Sequence, residues 1–328
     1  MAQESTREWL PLMVQRRAAV ARDIIEFTLV RADAGELPPF ESGAHVLVRT
    51  PAGSTRKYSL INPPNERRHY VIAVRRDANG RGGSVSMADG LASGAVIETS
   101  VPENAFPLER GARRYLFIAG GIGITPILGM IRHLQMRAAE GENPPPFQLI
   151  YLTRSAADTA YLEELASQSM GEHASLHHDH GNPAEAFDLW PVLERPAAGT
   201  HIYCCGPRGL MDAVRDMTGH WPATGIHFES FGVGDAAMFE ANRPFTIHLA
   251  RSGETIEVDA DQTALAALQA FGCRVMSSCE AGSCGTCRTT YLSGDVEHRD
   301  LVLGDGEKAD QIMLCVSRAR GGVLELDL

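Results

Sequence analysis

Lysine is almost missing from this 328-residue chain: Lys57 and Lys308 are the only two, so all but two of its 30 basic residues are arginine. That bias reads as codon composition rather than chemistry. Positive charge is short as well. The 41 acidic residues leave a formal net charge of −11, which argues against non-specific nucleic-acid binding while leaving local patches free to steer a partner. No apolar run reaches the ~18 residues of a membrane-spanning helix, and Met1–Arg7 lacks the apolar stretch of a signal peptide. Neither an internal repeat nor a low-complexity tract is found. The seven cysteines are an odd number in a long chain, which speaks against a disulfide framework. The expectation is a cytoplasmic protein in a reducing compartment, with neither membrane nor nucleic acid as partner. Length predicts two or three domains, and 44% hydrophobic residues suffice for separate cores.

What is present is concentrated near the end. Cys279-Glu280-Ala281-Gly282-Ser283-Cys284-Gly285-Thr286-Cys287, followed at a distance by Cys315, has the C-x4-C-x2-C…C spacing of a plant-type [2Fe–2S] ligand set. Gly282 and Gly285 allow the tight backbone and the N–H approach that sulfide ligands require. Cys315 arrives from Ile312–Val316, which reads as a buried strand. Structural zinc is the competing reading, but zinc ribbons favour paired C-x2-C knuckles, and only Cys284 and Cys287 make such a pair. Cys273 falls outside the spacing and is expected to pack.

Short β-branched runs broken by Gly and Pro, at Asp23–Val30, Ala44–Arg49, Lys57–Ile61, His69–Arg75 and Val96–Ser100, predict a small antiparallel barrel over residues 1–107. Two stretches in it carry chemistry. In Arg56-Lys57-Tyr58-Ser59-Leu60 an aromatic ring can lie against a planar heterocycle while the serine bonds a ring nitrogen. In Gly80-Arg81-Gly82-Gly83-Ser84 a turn opening a short helix offers N–H groups to a phosphate.

Arg114–Ala119 is a buried-strand run feeding Gly120-Gly121-Ile122-Gly123-Ile124-Thr125-Pro126, then a helix with Ile127, Met130, Ile131 and Leu134 on one face. Thr125 suits the N-cap and Pro126 the first helical position. The glycines let a pyrophosphate approach the positive helix terminus. Pro126 stands where G-x-G-x-x-G would have its last glycine, so this is a variant of the dinucleotide fingerprint. A second strand, Phe147–Thr153, ends at Arg154-Ser155, where ribose or a 2′-phosphate would be read. With no acid directly at that end, NADH and NADPH both stay open. A third strand, His201–Cys205, leads to Gly206-Pro207 and a helix from about Gly209; Cys205 lies where open α/β sheets bind ligands, while Cys204 reads as a small buried hydrophobe. Ile226–Glu229 closes this half and delivers Ser230-Phe231. His177, His178 and His180 with Asp179 are taken as a solvated polar turn rather than a metal cluster. Residues 232–242 read as a linker. Residues 243–328 follow the β-grasp order: strands Phe245–Ala250 and Thr255–Val258, a helix from Gln262 to Phe271, the cysteine loop, Thr289–Leu292 and a last strand Gly322–Leu328.

Together these motifs resemble the phthalate dioxygenase reductase and vanillate O-demethylase reductase family over nearly the whole chain. They are Arg56-x-Tyr58-Ser59-Leu60, Gly80–Ser84, Gly120–Pro126, Tyr203-Cys204-Cys205-Gly206-Pro207 and the cysteine run. The order of flavin domain (1–107), NAD(P) domain (108–231), linker (232–242) and C-terminal ferredoxin domain (243–328) is itself distinctive. The resemblance implies that Tyr58 and Ser59 meet the isoalloxazine. Arg56 with Gly82, Gly83 and Ser84 would hold the flavin phosphate, usually FMN in this family with FAD as the alternative, and Lys57, Leu60 and Arg75 are counted among the flavin-binding residues. Gly120, Gly121, Gly123, Thr125, Pro126, Arg154 and Ser155 would take the dinucleotide. Cys205, Gly206 and Pro207 would sit near the nicotinamide, and Phe231 would cover the flavin. Ser59, Cys205 and Phe231 are the implied reaction-centre residues; Cys279, Cys284, Cys287 and Cys315 are the implied iron ligands. The implied activity is a monomeric oxidoreductase that passes electrons from NAD(P)H through flavin to the cluster. A potential near about −400 mV would drive a terminal Rieske-type oxygenase. Alternatives are a stand-alone reductase serving another acceptor such as a cytochrome P450, or a zinc-stabilised module without redox chemistry.

Overall fold

The computed structural model describes residues 8–80, 82–231, 242–277, 282, 285–300, 302–304 and 306–328. By packing, the chain divides into two compact units, Met1–Gly206 with Ala213–Glu229, and Pro207–Asp212 with Ser230–Leu328.

The first unit begins with six antiparallel strands, β1 (Trp9–Ala21), β2 (Ile24–Val30), β3 (His45–Arg49), β4 (Thr55–Ser59), β5 (His69–Arg75) and β6 (Val96–Ser100), in the order β4-β3-β6-β1-β2-β5. The edge strands β4 and β5 also touch, so the sheet curls into a barrel around Leu12, Val14, Phe27, Leu29, Val46, Val48, Tyr70 and Ile72. Strand β1 has no counterpart among the sequence expectations. Only Leu12 and Val14 along it are buried, and Pro11 with the polar run Gln15-Arg16-Arg17 hides the alternation that marks the other strands. Helix α1 (Gly83–Gly90) follows β5.

Five parallel strands complete the unit: β7 (Arg114–Gly120), β8 (Phe147–Thr153), β9 (Ala174–His178), β10 (Thr200–Cys205) and β11 (Ile226–Glu229), in the order β11-β10-β7-β8-β9. The near-continuous burial of β7 and β10 is what a parallel strand covered on both faces requires. Helix α2 (Ile124–Ala139) buries Ile127, Met130, Ile131 and Leu134, each contributing roughly 1.5–3 kcal/mol. Three one-turn helices, α3 (Leu162–Leu165), α4 (Gln168–Gly171) and α5 (Trp190–Leu193), and the longer α6 (Arg208–Met217) fill the connections. Barrel residues Ile24, Ile61, Val71 and Ala73 share one core with Phe117, Ile127 and Tyr203 of the nucleotide half. Tyr203 also donates its hydroxyl to Pro107 O at 2.9 Å.

Two local expectations change. A 3-10 turn, Gly121–Gly123, runs directly into α2, so the helix starts earlier than the N-cap signal indicated. Thr125 therefore lies inside the first turn, donating to Ile122 O at 3.1 Å, and Pro126 follows within that turn. His177 and His178 end the strand β9 rather than occupying a loop; His178 Nδ1 meets Thr153 Oγ1 at 2.9 Å and His177 Nε2 meets Glu185 O at 2.6 Å. Only His180 is in the turn, with φ 53.

The second unit carries β12 (Phe245–Leu249), β13 (Thr255–Val258), α7 (Ala264–Phe271), β14 (Arg288–Ser293), β15 (Val296–Glu297), β16 (Gln311–Met313), β17 (Arg318–Ala319) and β18 (Val323–Leu326). Its main sheet runs β13-β12-β18-β14-β16, with β15 and β17 as a separate pair. Thr263 caps α7 by accepting from Ala266 N at 3.1 Å; Leu265 and Leu268 pack on Ile247, Val258 and Leu324. Cys273 packs partly against the same core. The linker expectation falls outside the described residues except at Asn242. Among the described residues no helix is long and apolar enough to cross a membrane.

Candidate electron-transfer site

The nucleotide sheet reverses direction of assembly between β7 and β10, the topological switch point at which open α/β sheets take ligands. Both nucleotide motifs emerge there. Gly120 closes β7, and Cys205 closes β10 opposite Ala119. Gly123 is required by close approach: a Cβ on it would stand 2.2 Å from Cys205 O and 2.7 Å from Gly206 N. Neither the 3-10 turn Gly121–Gly123 nor α2 has a side-chain cap. Ile124 N donates back to Gly121 O and Ile122 O, so the N–H groups an anion would meet are those of the 3-10 turn. Pro207 O accepts from Leu210 N and Met211 N at 3.0 and 3.2 Å, opening α6.

The barrel supplies the adjoining wall through β4. Strand pleating sends alternate side chains to opposite faces. Arg56 and Tyr58, opposite Val48 and Val46, share the barrel-core side; Lys57 and Ser59 point the other way. Burial pushes the Tyr58 phenol up to about 12, against the lowering effect of Arg56. Ser59 is 2% exposed, and its hydroxyl has no hydrogen-bond partner among the described residues. Leu60 belongs to the barrel core. Arg56 lies over the start of α1, where a Cβ on Gly83 would stand 3.1 Å from its Nε. Gly82 is left-handed there, and no side chain caps the helix. Ser84 Oγ accepts from Asp77 N at 3.1 Å and steadies the turn. Arg75 is exposed at the end of β5, across from Ile24. Arg81 lies outside the described residues.

Lys57 Nζ reaches 2.7 Å from Glu229 Oε1, a residue the sequence reading passed over. Glu229 ends β11 in register with Cys205. Cys205 is wholly buried; burial first, then Glu229 and Cys204, push its thiol well above the ordinary range, with Lys57 opposing. The thiol is therefore neutral. Cys204 is equally buried, as a packing residue should be. Phe231 is 39% exposed and belongs to the second unit. A second overlooked acid is Asp158, three residues past Ser155: Ser155 Oγ donates to Asp158 Oδ2 at 2.5 Å. Its signal was available, as an acid one turn beyond a strand end. Glu229 could also have been noticed, as a lone charge closing a strand.

In the second unit Cys287 and Cys315 are buried cysteines, brought near each other where Leu314 N donates to Cys287 O at 3.4 Å. Cys315 lies in the turn after β16, not within a strand, because the pairing with β14 stops at Met313. Cys279 and Cys284 lie outside the described residues. Gly282 has φ +71, and a Cβ there would stand 2.7 Å from Val316 Cγ2, so the chain at Gly282 lies close to the residue following Cys315.

These features fit the implied groups. The orphaned Ser59 hydroxyl and the Arg56–Gly83 cradle suit a flavin. The glycine-rich 3-10 turn packed against Cys205-Gly206 suits a dinucleotide, and two buried cysteines with Gly282 beside them suit an iron–sulfur cluster.

Comparison with known proteins agrees with that chemistry. Residues 247–320 match the 2Fe-2S iron-sulfur cluster binding domain, and residues 117–216 match the oxidoreductase NAD-binding domain. The chain is 53% identical over 317 residues to the phthalate 4,5-dioxygenase oxygenase reductase subunit of Pseudomonas putida, covering 97% of this chain and 96% of that protein. It is 38% identical over 297 residues to the heme-dependent oxidative N-demethylase beta subunit of Ectopseudomonas mendocina (strain ymp), covering 90% and 91%. Among solved structures it is similar to phthalate dioxygenase reductase, described as a modular structure for electron transfer from pyridine nucleotides to [2Fe-2S]. That match has TM-score 0.82 and 49% identity, over 98% of each chain.

Proposed function

The chain belongs to the phthalate dioxygenase reductase family, and we propose that it is the reductase component of a multicomponent oxygenase, acting as a monomer in the cytoplasm. It draws electrons from reduced pyridine nucleotide and delivers them through FMN and its [2Fe–2S] cluster to a terminal oxygenase of the Rieske type. The functional segments are residues 1–107 for flavin, 108–231 for nucleotide and 243–328 for the cluster, with 232–242 between them.

The observation that carries this reading is the convergence at one place of Gly123, Cys205-Gly206 and the Lys57–Ser59 side of β4. Bound there, the flavin converts a hydride into electrons that the cluster passes on singly; that chemistry belongs to the cofactors. The protein's residues bind and orient. Arg56 and the first turn of α1 hold the flavin phosphate, Tyr58 and Ser59 meet the ring, and the Ser59 hydroxyl gains there the partner it lacks. Gly120, Gly121, Gly123, Thr125 and Pro126 admit the pyrophosphate. Cys205, Gly206 and Pro207 line the nicotinamide end, Cys205 as a neutral buried surface rather than a nucleophile. Cys279, Cys284, Cys287 and Cys315 ligate iron. NADH is the favoured reductant: Asp158, fixed by Ser155, suits ribose hydroxyls and repels a 2′-phosphate, so Asp158→Ala is expected to narrow the NADH preference about tenfold.

The test is the visible spectrum of the purified protein, followed by anaerobic NADH. Flavin and iron–sulfur bands that bleach are expected. A folded, fully reconstituted preparation that NADH does not bleach would refute the reading, and failure to turn over a Rieske-type oxygenase would refute that choice of acceptor.

A further inference from the structure

No motif announced the ion pair between β4 and β11. The Lys57 and Glu229 side chains are 10% and 2% exposed, 2.7 Å apart. Beyond Lys57, neither carboxylate oxygen has a hydrogen-bond partner among the described residues. Stability does not account for such a pair, since well-packed apolar residues avoid the desolvation penalty it carries. Arginine is the residue this chain uses at every other basic position but one, yet here stands the compact point charge of an ammonium. Codon bias does not explain that departure.

The location does. Lys57 lies between Arg56 and Tyr58 on the strand assigned to the flavin, facing the same way as Ser59. Glu229 lies beside Cys205 at the end of the sheet assigned to the nucleotide. We propose that Lys57 and Glu229 form a fixed dipole across the nucleotide–flavin junction, oriented to favour hydride transfer, with Lys57 as the positioning residue that holds the Glu229 charge in place. This rests on the function proposed above. In the step concerned, a C–H bond of reduced nicotinamide breaks and its hydrogen leaves with both electrons to bond a flavin ring nitrogen. The donor becomes cationic and the acceptor ring anionic; no other reactant is consumed. A carboxylate on the donor side and an ammonium on the acceptor side both gain attraction as that charge moves. In a water-excluded site such preorganised charge acts strongly.

The experiment uses the full chain loaded with FMN and cluster, mixed anaerobically with NADH, and a separate redox titration of the flavin. Lys57→Met is expected to lower the limiting rate of flavin reduction about 10- to 100-fold. The dissociation constant for NADH should change by less than about threefold, and the flavin potential should move to more negative values. Lys57→Arg should recover most of both effects. Glu229→Gln should move the potential the opposite way and weaken NAD+ binding more than NADH binding, a pairing that mere loss of packing does not produce. If Lys57→Met does not retain FMN, the sign of the Glu229→Gln shift decides alone. Unchanged potential in Glu229→Gln, or wild-type reduction rates in flavin-loaded Lys57→Met, overturns the dipole while the electron path stands. Absence of flavin reduction in the unaltered protein would instead sink the path itself.

Discussion

In the unit made of barrel and nucleotide sheet, the candidate residues sit at the ends of β4, β7, β10 and β11 and in the first turns of α1 and α2. In the other unit, Cys287 immediately precedes a strand and Cys315 occupies a turn. The first arrangement depends on two sheets sharing one core, so a change at Gly123 or Ile131 reaches several sites at once. The second depends on a local wrap of chain, and damage to it should stay local. On the proposed path, electron entry thus rests on packing and electron exit on the segments around Cys287 and Cys315.

The sharpest way to break that contrast is Cys315→Ser. It should abolish reduction of the protein acceptor while dye reduction by NADH through the flavin continues; equal loss of both in a folded, flavin-loaded protein would mean the units are not separable. Next in size is Gly123→Ala, whose added carbon meets Cys205 O at 2.2 Å. Because backbone cannot yield as a side chain tip can, NADH-dependent reduction should fall at least about 10-fold and the unfolding midpoint should drop, overpacking costing about 1–3 kcal/mol. The iron–sulfur spectrum should survive. Arg56→Ala should weaken FMN retention by about 1.5–3 kcal/mol, the range for a hydrogen bond to a charged group, read as a 10- to 100-fold rise in the FMN dissociation constant. Smallest is a pH effect confined to the first unit. Burial, with His201 adding to it, lowers His227 to about 4. Its unfolded form binds a proton near pH 6.5, so the stability it contributes is present above that pH and is lost as pH falls towards 4. The ring is partly solvated, so about 1–2 kcal/mol is expected. His227→Phe should flatten the acid side of the thermal-stability profile.

Most of the architecture was legible because the elements carrying it are periodic. Strands β5, β8, β11 and β13 fall where alternation or apolar runs placed them, and the α2 stripe is buried as its spacing required. β1 and β9 escaped because their burial is partial and their sequences polar. Cysteine and glycine spacing exposed the cofactor chemistry, since those residue types have few other reasons to cluster. Lys57 was counted with the flavin set, but its actual partner lies far away in sequence. No local pattern encodes a contact that only the shared core brings together. Asp158 was missed for a simpler reason: the acid was sought at the strand end, and the 3-10 turn Ala156–Asp158 carries it back there.

Lys57 is withdrawn into the interior against Glu229, whereas the other lysine of the chain, Lys308, stands half-buried in the 3-10 turn Glu307–Ala309 of the second unit. A succinimidyl ester should therefore acylate Lys308 of the folded protein faster than Lys57, a ranking that unfolding would erase.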